Sequence, residues 1–147
     1  RQYDAAIVLM HMRGTPRTMQ RNVRYKNVIS EIIDSLRKSM ENCLEIGIKS
    51  DKIIVDPGIG FAKTAEHNLE VIKHLRQFTV LKRPLLIGVS RKSFIGKVLE
   101  KDVSRRLHGS LAAACVSIFN GAHIIRAHDV GPTKEAAMMT DTILQGR

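Results

Sequence analysis

The sequence predicts an α/β fold in which helices cover a parallel β-sheet, and three observations support this prediction. Four short apolar runs rich in β-branched residues alternate with longer segments of helical periodicity. The short runs are continuously apolar, which is typical of strands buried on both faces. No linker or low-complexity segment divides the 147 residues, of which 44% are hydrophobic, so the chain is long enough for one domain with a core.

The first two strand–helix units occupy the N-terminal half of the sequence. The run AAIVLMHM predicts a buried strand, which Gly14 and Pro16 then break. Apolar residues recur every four positions from Val28 to Leu44, and Gly47 stands where a C-terminal cap belongs, so an amphipathic helix is expected. The elements predicted here are strands over 5–12 and 52–56 and helices over 28–44 and 64–75.

The last two units follow the same pattern. We expect Ser93 to be the N-cap of a short helix and Thr133, after Pro132, to cap the final helix. Gly121 should stop the strongly apolar helix before the last strand. The elements predicted here are strands over 85–89 and 124–127 and helices over 94–99, 110–120 and 133–145.

Composition narrows the possible partners. The formal net charge is +10, from 24 Lys and Arg against 14 Asp and Glu, which is compatible with nucleic acid or with an anionic small molecule. Only four Phe and two Tyr are present, without basic–aromatic interleaving, which argues against stacking on single strands. No apolar run approaches membrane-spanning length. Cys43 and Cys115 fall among apolar neighbours and are interpreted as buried thiols of a reducing compartment, so a cytoplasmic protein is expected.

Residues that could bind a ligand or take part in catalysis follow the strands, where α/β folds place their sites. The third strand ends in Ser90-Arg91-Lys92-Ser93, two cations between two hydroxyls. With the following helix, this segment could hold a carboxylate or phosphate, although a capped turn with solvated cations remains the alternative. The sequence has no Gly-x-Gly-x-x-Gly or Walker motif after a strand, which argues against a dinucleotide or nucleotide fold.

Four segments closely resemble motifs of the dihydropteroate synthase family, in that family's order: LMHMRGTPRTMQ, DPGIGFAKTAEHN, IGVSRKSFIG and GAHIIRAHDV. The sequence departs from the family pattern at Ile59, Ala62 and Ala127, which affects pocket shape but removes no polar group. The resemblance implies a (β/α)₈ barrel, of which residues 1–147 would be the C-terminal half. A complete barrel needs at least about 200 residues, so a chain of this length cannot close one.

The resemblance further implies a transferase of folate biosynthesis, a sulfonamide target, that joins a dihydropterin diphosphate to 4-aminobenzoate. It assigns pterin binding to Met10, Asp56, Gly88, Lys92 and Arg126, and aminobenzoate binding to Phe61, Ser90, Arg91 and Ser93. Arg126 and His128, with the start of the final helix, would bind the diphosphate, and with Lys92 they form the expected catalytic set. The same residue types also occur for purely structural reasons. An Asp before Pro-Gly, for example, commonly opens a turn.

No metal ligand is assigned in this chain, because the resemblance implies an asparagine ligand for Mg²⁺ in a preceding half. It also implies a homodimer when the barrel is complete, no nucleic-acid or membrane partner, and no activity of these residues alone. Three alternatives remain: a pterin- or folate-binding methyltransferase of the same barrel type, a non-catalytic half-barrel subunit, and a basic nucleic-acid-binding module.

Overall fold

The four predicted strands are parallel and follow one another in space. A computed structural model describes residues 3–15, 17–19 and 23–146, so the predicted strand breaker Pro16 lies outside the described residues. Strand β1 (Ile7–Met10) pairs with β2 (Ile53–Asp56), and β3 (Leu86–Ile87) pairs with β4 (Ile124–Ile125). A parallel bridge between Val55 and Leu85 joins the two pairs, which gives the order β1-β2-β3-β4.

Helices follow each strand, as the periodicity predicts. The α-helices are α1 (Val28–Glu45), α2 (Ala65–Lys73), α3 (Ser93–Leu99), α4 (Leu107–Phe119) and α5 (Val130–Gln145). Short 3₁₀ segments cover Ser50–Lys52, Leu75–Leu81 and Val103–Arg105.

Local chemistry explains where the first two helices begin. The Asn27 side chain accepts hydrogen bonds from the backbone N–H groups of Ile29 and Ser30, which caps α1. At α2 the Thr64 hydroxyl accepts from the His67 N–H, and the His67 ring accepts from the Thr64 N–H in return. This reciprocal capping box orients the loop that enters α2 from β2.

One hydrophobic core lies between the strands and the helices that cover them. Apolar side chains of α1, α2, the 3₁₀ segment after α2, α3 and α4 pack against the inner strands. The apolar residues in this core with the least solvent exposure include Ile32, Leu36, Ile53, Val55, Val71, Leu75, Phe78 and Ile87. In the part of the chain that the structure describes, no helix has the length and apolarity needed to span a membrane.

Several predicted boundaries are wrong. The strands are shorter than the apolar runs, α2 ends at Lys73 and passes into 3₁₀ structure, and α4 begins at Leu107, one turn before Ser110. Lys92, not Ser93, occupies the N-cap position of α3, so Ser93 is the first helical residue.

The predicted start of the last helix is also wrong. Helix α5 begins at Val130 after Asp129, and the Thr133 hydroxyl, instead of capping the helix, donates to the Asp129 carbonyl at 2.7 Å from within the first turn. Cys43 and Cys115 are free and lie in helices as expected, but both are partly exposed and not buried.

Candidate active site

The carboxyl ends of the four strands meet at one edge, because the strands are parallel. The backbone links neighbouring ends directly: His11 N donates to Asp56 O at 2.9 Å, and Arg126 N donates to Ile87 O at 2.8 Å. The predicted site residues of β2, β3 and β4 are therefore brought to the same edge of the sheet.

Asp56 is the last residue of β2 and is only 4% exposed. Its Oδ1 accepts a hydrogen bond from Gly58 N at 2.7 Å, so the expected turn interaction is present. Burial raises the pKa of this carboxyl, while the Gly58 N–H and the positive charges of Arg126 and Lys92 act in the opposite direction. Asp56 therefore lies within electrostatic range of both cations, and its turn bond occupies only one of its two oxygens.

A cleft of about 380 Å³ opens at the ends of β3 and β4, in the size range of small-molecule sites, and Asp56 is not one of its lining residues. Its wall combines one aromatic ring, two cations and two polar side chains with small residues. The lining residues are Phe61, Gly88, Ser90, Lys92, Arg126, Ala127 and His128.

Lys92 joins the two sides of this cleft. Its Nζ lies 4.3 Å from the centre of the Phe61 ring, within the range of a cation–π contact. Burial, followed by the charge of Arg126, lowers the pKa of Lys92, and the charge of Asp56 partly restores it. The lysine therefore presents an ammonium group between an aromatic wall and a carboxylate.

Arg126 follows β4 and lies over the backbone of Gly88. A Cβ at Gly88 would come within 3.1 Å of the guanidinium Nη2, closer than most real contacts allow. A side chain here would have to displace the guanidinium by a few tenths of an ångström, and the arginine that makes this close approach also lines the cleft.

A model of the family described as pterin binding enzyme matches residues 1–128, most of the chain. The chain belongs to this family.

Its relatives include dihydropteroate synthases. The enzyme of Haemophilus influenzae is 43% identical over 129 residues, which cover 88% of this chain and 47% of the relative. Among solved structures, a Yersinia pestis dihydropteroate synthase with a sulfonamide drug complex superposes with a TM-score of 0.97 at 35% identity, covering 99% of this chain and 53% of that one. A Thermus thermophilus dihydropteroate synthase in complex with 6HMPPP superposes with a TM-score of 0.91 at 34% identity, covering 97% of this chain and 57% of that one. The chain thus spans about half the length of the relatives it matches.

In this member of the family, the loops after β3 and β4 are fastened together. Ser90 Oγ accepts from His128 N at 3.2 Å and lies 3.0 Å from His128 Nδ1. Arg91 donates to both carboxylate oxygens of Asp129, from Nε at 3.0 Å and from Nη2 at 2.5 Å. The predicted aminobenzoate residues Ser90 and Arg91 therefore make contacts that hold the cleft wall in place.

The backbone of the Arg91 segment is also fixed from α4. Arg91 has φ +56°, an unfavourable left-handed conformation for a residue other than glycine. Ser110 Oγ accepts from Arg91 N at 2.9 Å, and Arg106 Nη1 donates to Arg91 O at 3.1 Å. These two contacts stabilise the turn that presents Lys92 to the cleft.

The remaining predicted residues lie at the rim. Met10 ends β1, is 37% exposed, and its Cγ would lie 3.5 Å from a Cβ placed on Gly58. Ser93 is exposed at the first position of α3.

One buried cation, Lys63, received no role from the sequence. It is 4% exposed, and its Nζ lies 3.0 Å from His11 Nδ1, a residue that also received no role. Lys63 stands two residues after Phe61 in the motif DPGIGFAKTAEHN, but sequence alone does not distinguish it from a surface lysine.

Among the residues that the structure describes, no group of three or more His, Cys, Asp or Glu side chains could hold a metal ion.

Proposed function

We propose that residues 1–147 are the C-terminal half of a dihydropteroate synthase, which joins 6-hydroxymethyl-7,8-dihydropterin diphosphate to 4-aminobenzoate. The observation that carries the proposal is the buried Asp56 carboxylate within electrostatic range of Lys92 and Arg126, two cations that line a cleft with an aromatic wall. The identity of the relatives as dihydropteroate synthases supports it, as do the 6HMPPP and sulfonamide complexes of two structural neighbours.

The pterin ring is recognised by charge and shape. Its N–H and NH₂ edge resembles a guanidine, and a carboxylate such as Asp56 accepts from both groups at once. Lys92 donates to the ring carbonyl, and the flat guanidinium of Arg126 stacks on the ring while reaching the diphosphate. Gly88 allows close approach to the strand, and Met10 packs against the pterin from β1.

4-Aminobenzoate binds on the other side of Lys92. The Phe61 ring and the aliphatic stem of Lys92 form the walls for the aromatic ring, and the Ser93 hydroxyl donates to the carboxylate at the start of α3. Ser90 and Arg91 support this pocket through His128 and Asp129.

The reaction is a dissociative substitution at the pterin methylene. The methylene C–O bond breaks, and pyrophosphate departs with the bonding electrons while Arg126 and His128 stabilise its charge. The neutral arylamine then forms the C–N bond and releases a proton. No general base is required, so the protein contributes mainly by positioning the amine and stabilising the leaving group.

The Mg²⁺ of this reaction would be held by residues outside these 147, so no step is assigned to it here. The complete protein would act in the cytoplasm as a homodimer on small-molecule substrates.

The test uses the full-length protein that carries this sequence. Incubation with the pterin diphosphate and labelled 4-aminobenzoate should release one pyrophosphate per dihydropteroate formed. Arg126→Met should lower kcat strongly, whereas Arg37→Met, which removes an exposed arginine paired with Asp34 on α1, should not. Methyl transfer from a methylated folate without pyrophosphate release would instead assign the methyltransferase function.

The 147-residue chain tested alone should form no dihydropteroate. Turnover by this chain alone would refute the proposal that it is an incomplete half. Activity that appears only after mixing with a separately expressed N-terminal half would identify the chain as a subunit of a split synthase.

A further inference from the structure

Lys63 lies in the loop between β2 and α2, beneath the residues that face the cleft. Its Nζ has three acceptors: His11 Nδ1 at 3.0 Å, Gly58 O at 3.0 Å and Phe61 O at 3.1 Å. In its protonated form the group has three N–H donors and no acceptor, so each donor then has one partner and His11 Nδ1 is the accepting nitrogen.

The three acceptors belong to the segments that carry the site. His11 directly follows β1, and its backbone N–H donates to the Asp56 carbonyl. Gly58 donates its N–H to Asp56 Oδ1 at 2.7 Å, so a single residue, Gly58, links the Asp56 carboxylate to the Lys63 contact at Gly58 O. Phe61 carries the ring against which Lys92 lies. One ammonium group therefore ties the end of β1 to the backbone on both sides of the 58–61 turn.

The surrounding charges agree with this geometry. Burial lowers the pKa of Lys63 to about 7, with Arg13 and Lys92 acting in the same direction and Asp56 opposing them. Burial, Lys63 and Arg13 lower the pKa of His11 to about 4, which leaves its ring neutral and able to accept. The charge of Asp56 thus favours the protonated form of Lys63.

Two other contacts hold the same loop without involving the site groups. Asn68 Oδ1 accepts from Gly60 N at 2.7 Å, and the Tyr25 hydroxyl donates to Ala62 O at 2.9 Å. These neutral contacts fasten the loop to α2 and to the segment before α1. In contrast, the Lys63 contacts converge on the residues that orient Asp56 and Phe61.

We propose that Lys63 is a positioning residue that sets the orientation of the Asp56 carboxylate and the Phe61 ring together, and so couples the pterin side of the cleft to the aminobenzoate side. This inference rests on the proposed function, because it assigns ligands to the two groups that Lys63 orients. Lys63 itself is buried and touches neither ligand.

The test is a double-mutant cycle measured by calorimetry on the full-length protein, with a pterin ligand. Lys63→Met leaves two carbonyls and a ring nitrogen without their donor, so pterin affinity should fall by about tenfold or more. In an Asp56→Asn background the same change should lower pterin affinity much less, because the carboxylate that Lys63 orients is already lost. Leu36→Ala, a core change in α1, is the matched control for loss of stability and should change affinity by no more than about twofold in either background.

Lys63→Gln provides a second variant that retains amide donors and should fold if Lys63→Met does not. It should weaken both pterin and 4-aminobenzoate binding. If the role of Lys63 were purely structural, the variant would lower only the unfolding temperature. Affinities within about twofold of wild type, or full additivity with Asp56→Asn, would overturn the inference. If the unaltered protein binds no pterin, the proposed function fails first, so the two failures are distinguishable.

Discussion

Asp56→Asn is the most informative single change at the candidate site. Asparagine keeps the size of the side chain, and its oxygen can still accept from Gly58 N, as Asp56 Oδ1 does at 2.7 Å. Its amide nitrogen would then replace the second carboxylate oxygen and present a donor toward the donors of the pterin edge. The change also removes the negative charge of Asp56, which interacts with the positive charges of Arg126, Lys92 and Lys63.

The expected loss of pterin affinity follows from these two effects. A charge-assisted pair of hydrogen bonds is exchanged for a mismatched contact, which costs about 2–4 kcal/mol. This corresponds to roughly a 30- to 1000-fold rise in Kd. The 4-aminobenzoate pocket lies on the other side of Lys92, so its affinity should change only indirectly.

Calorimetry with a pterin ligand measures this loss directly in the full-length protein. Asp34→Asn is the matched control, because Asp34 is an exposed carboxylate on α1 that pairs only with neighbouring Arg37 in the described contacts. It should leave pterin affinity unchanged. Equal affinities for Asp56→Asn and the unaltered protein would show that Asp56 is only a turn residue, and the pterin assignment would be wrong.

Three further predictions concern stability and the rim of the cleft. Gly58→Ala should cost about 2–5 kcal/mol of unfolding free energy, because its φ is +72° and a Cβ would lie 1.9 Å from His11 O; Gly131→Ala, with open space around it, should be neutral or stabilising in thermal melts. Burial lowers the pKa of His11 from 6.5 to about 4, so the unfolded chain binds more protons in this range. Its stabilising contribution is complete above pH 6.5 and should fall by up to about 3 kcal/mol as the pH drops through this range. In urea titrations this pH slope should shrink in His11→Asn, and an unchanged slope would contradict the assignment. Asp129→Asn should lower stability only slightly, because the ion pair with Arg91 is exposed to solvent, and should raise the KM for 4-aminobenzoate; high salt should reduce the stability difference.

The existence and order of the strands were predictable from sequence, but their lengths were not. Apolar β-branched runs identify segments that must be buried, and 5–12 is one such run. The ladder that β1 forms covers only Ile7–Met10, because pairing depends on the partner strand and not on local hydrophobicity. The same reasoning explains why β4 has two residues where four were expected.

The two wrong helix caps share a physical cause. Ser93 and Thr133 are good capping residues, but each lies within a helix that begins before its predicted start. In α5, Pro132 occupies the first turn, where a missing N–H breaks no intrahelical hydrogen bond. Thr133 N then makes the helical bond to Asp129 O at 3.1 Å. Proline therefore did not mark the start of the helix, and cap preference alone could not distinguish the two registers.

The site was predictable to the extent that strand ends define it. Asp56, Lys92 and Arg126 were predicted to converge because parallel strands place their carboxyl ends together, and the structure confirms their proximity. Contacts between loops were not predictable, because they depend on tertiary structure. Neither the Arg91–Asp129 pair nor the Lys63–His11 contact has a fixed sequence spacing that would reveal it.

The candidate site carries more positive than negative charge. The charges of Lys63, Lys92 and Arg126 act on the buried carboxylate of Asp56. Burial and the neighbouring positive charges lower the pKa values of both lysines, so this excess of positive charge costs free energy in the protein alone. An anionic substrate such as the proposed pterin diphosphate would neutralise it, so the free energy of binding would offset a cost already present in the folded chain.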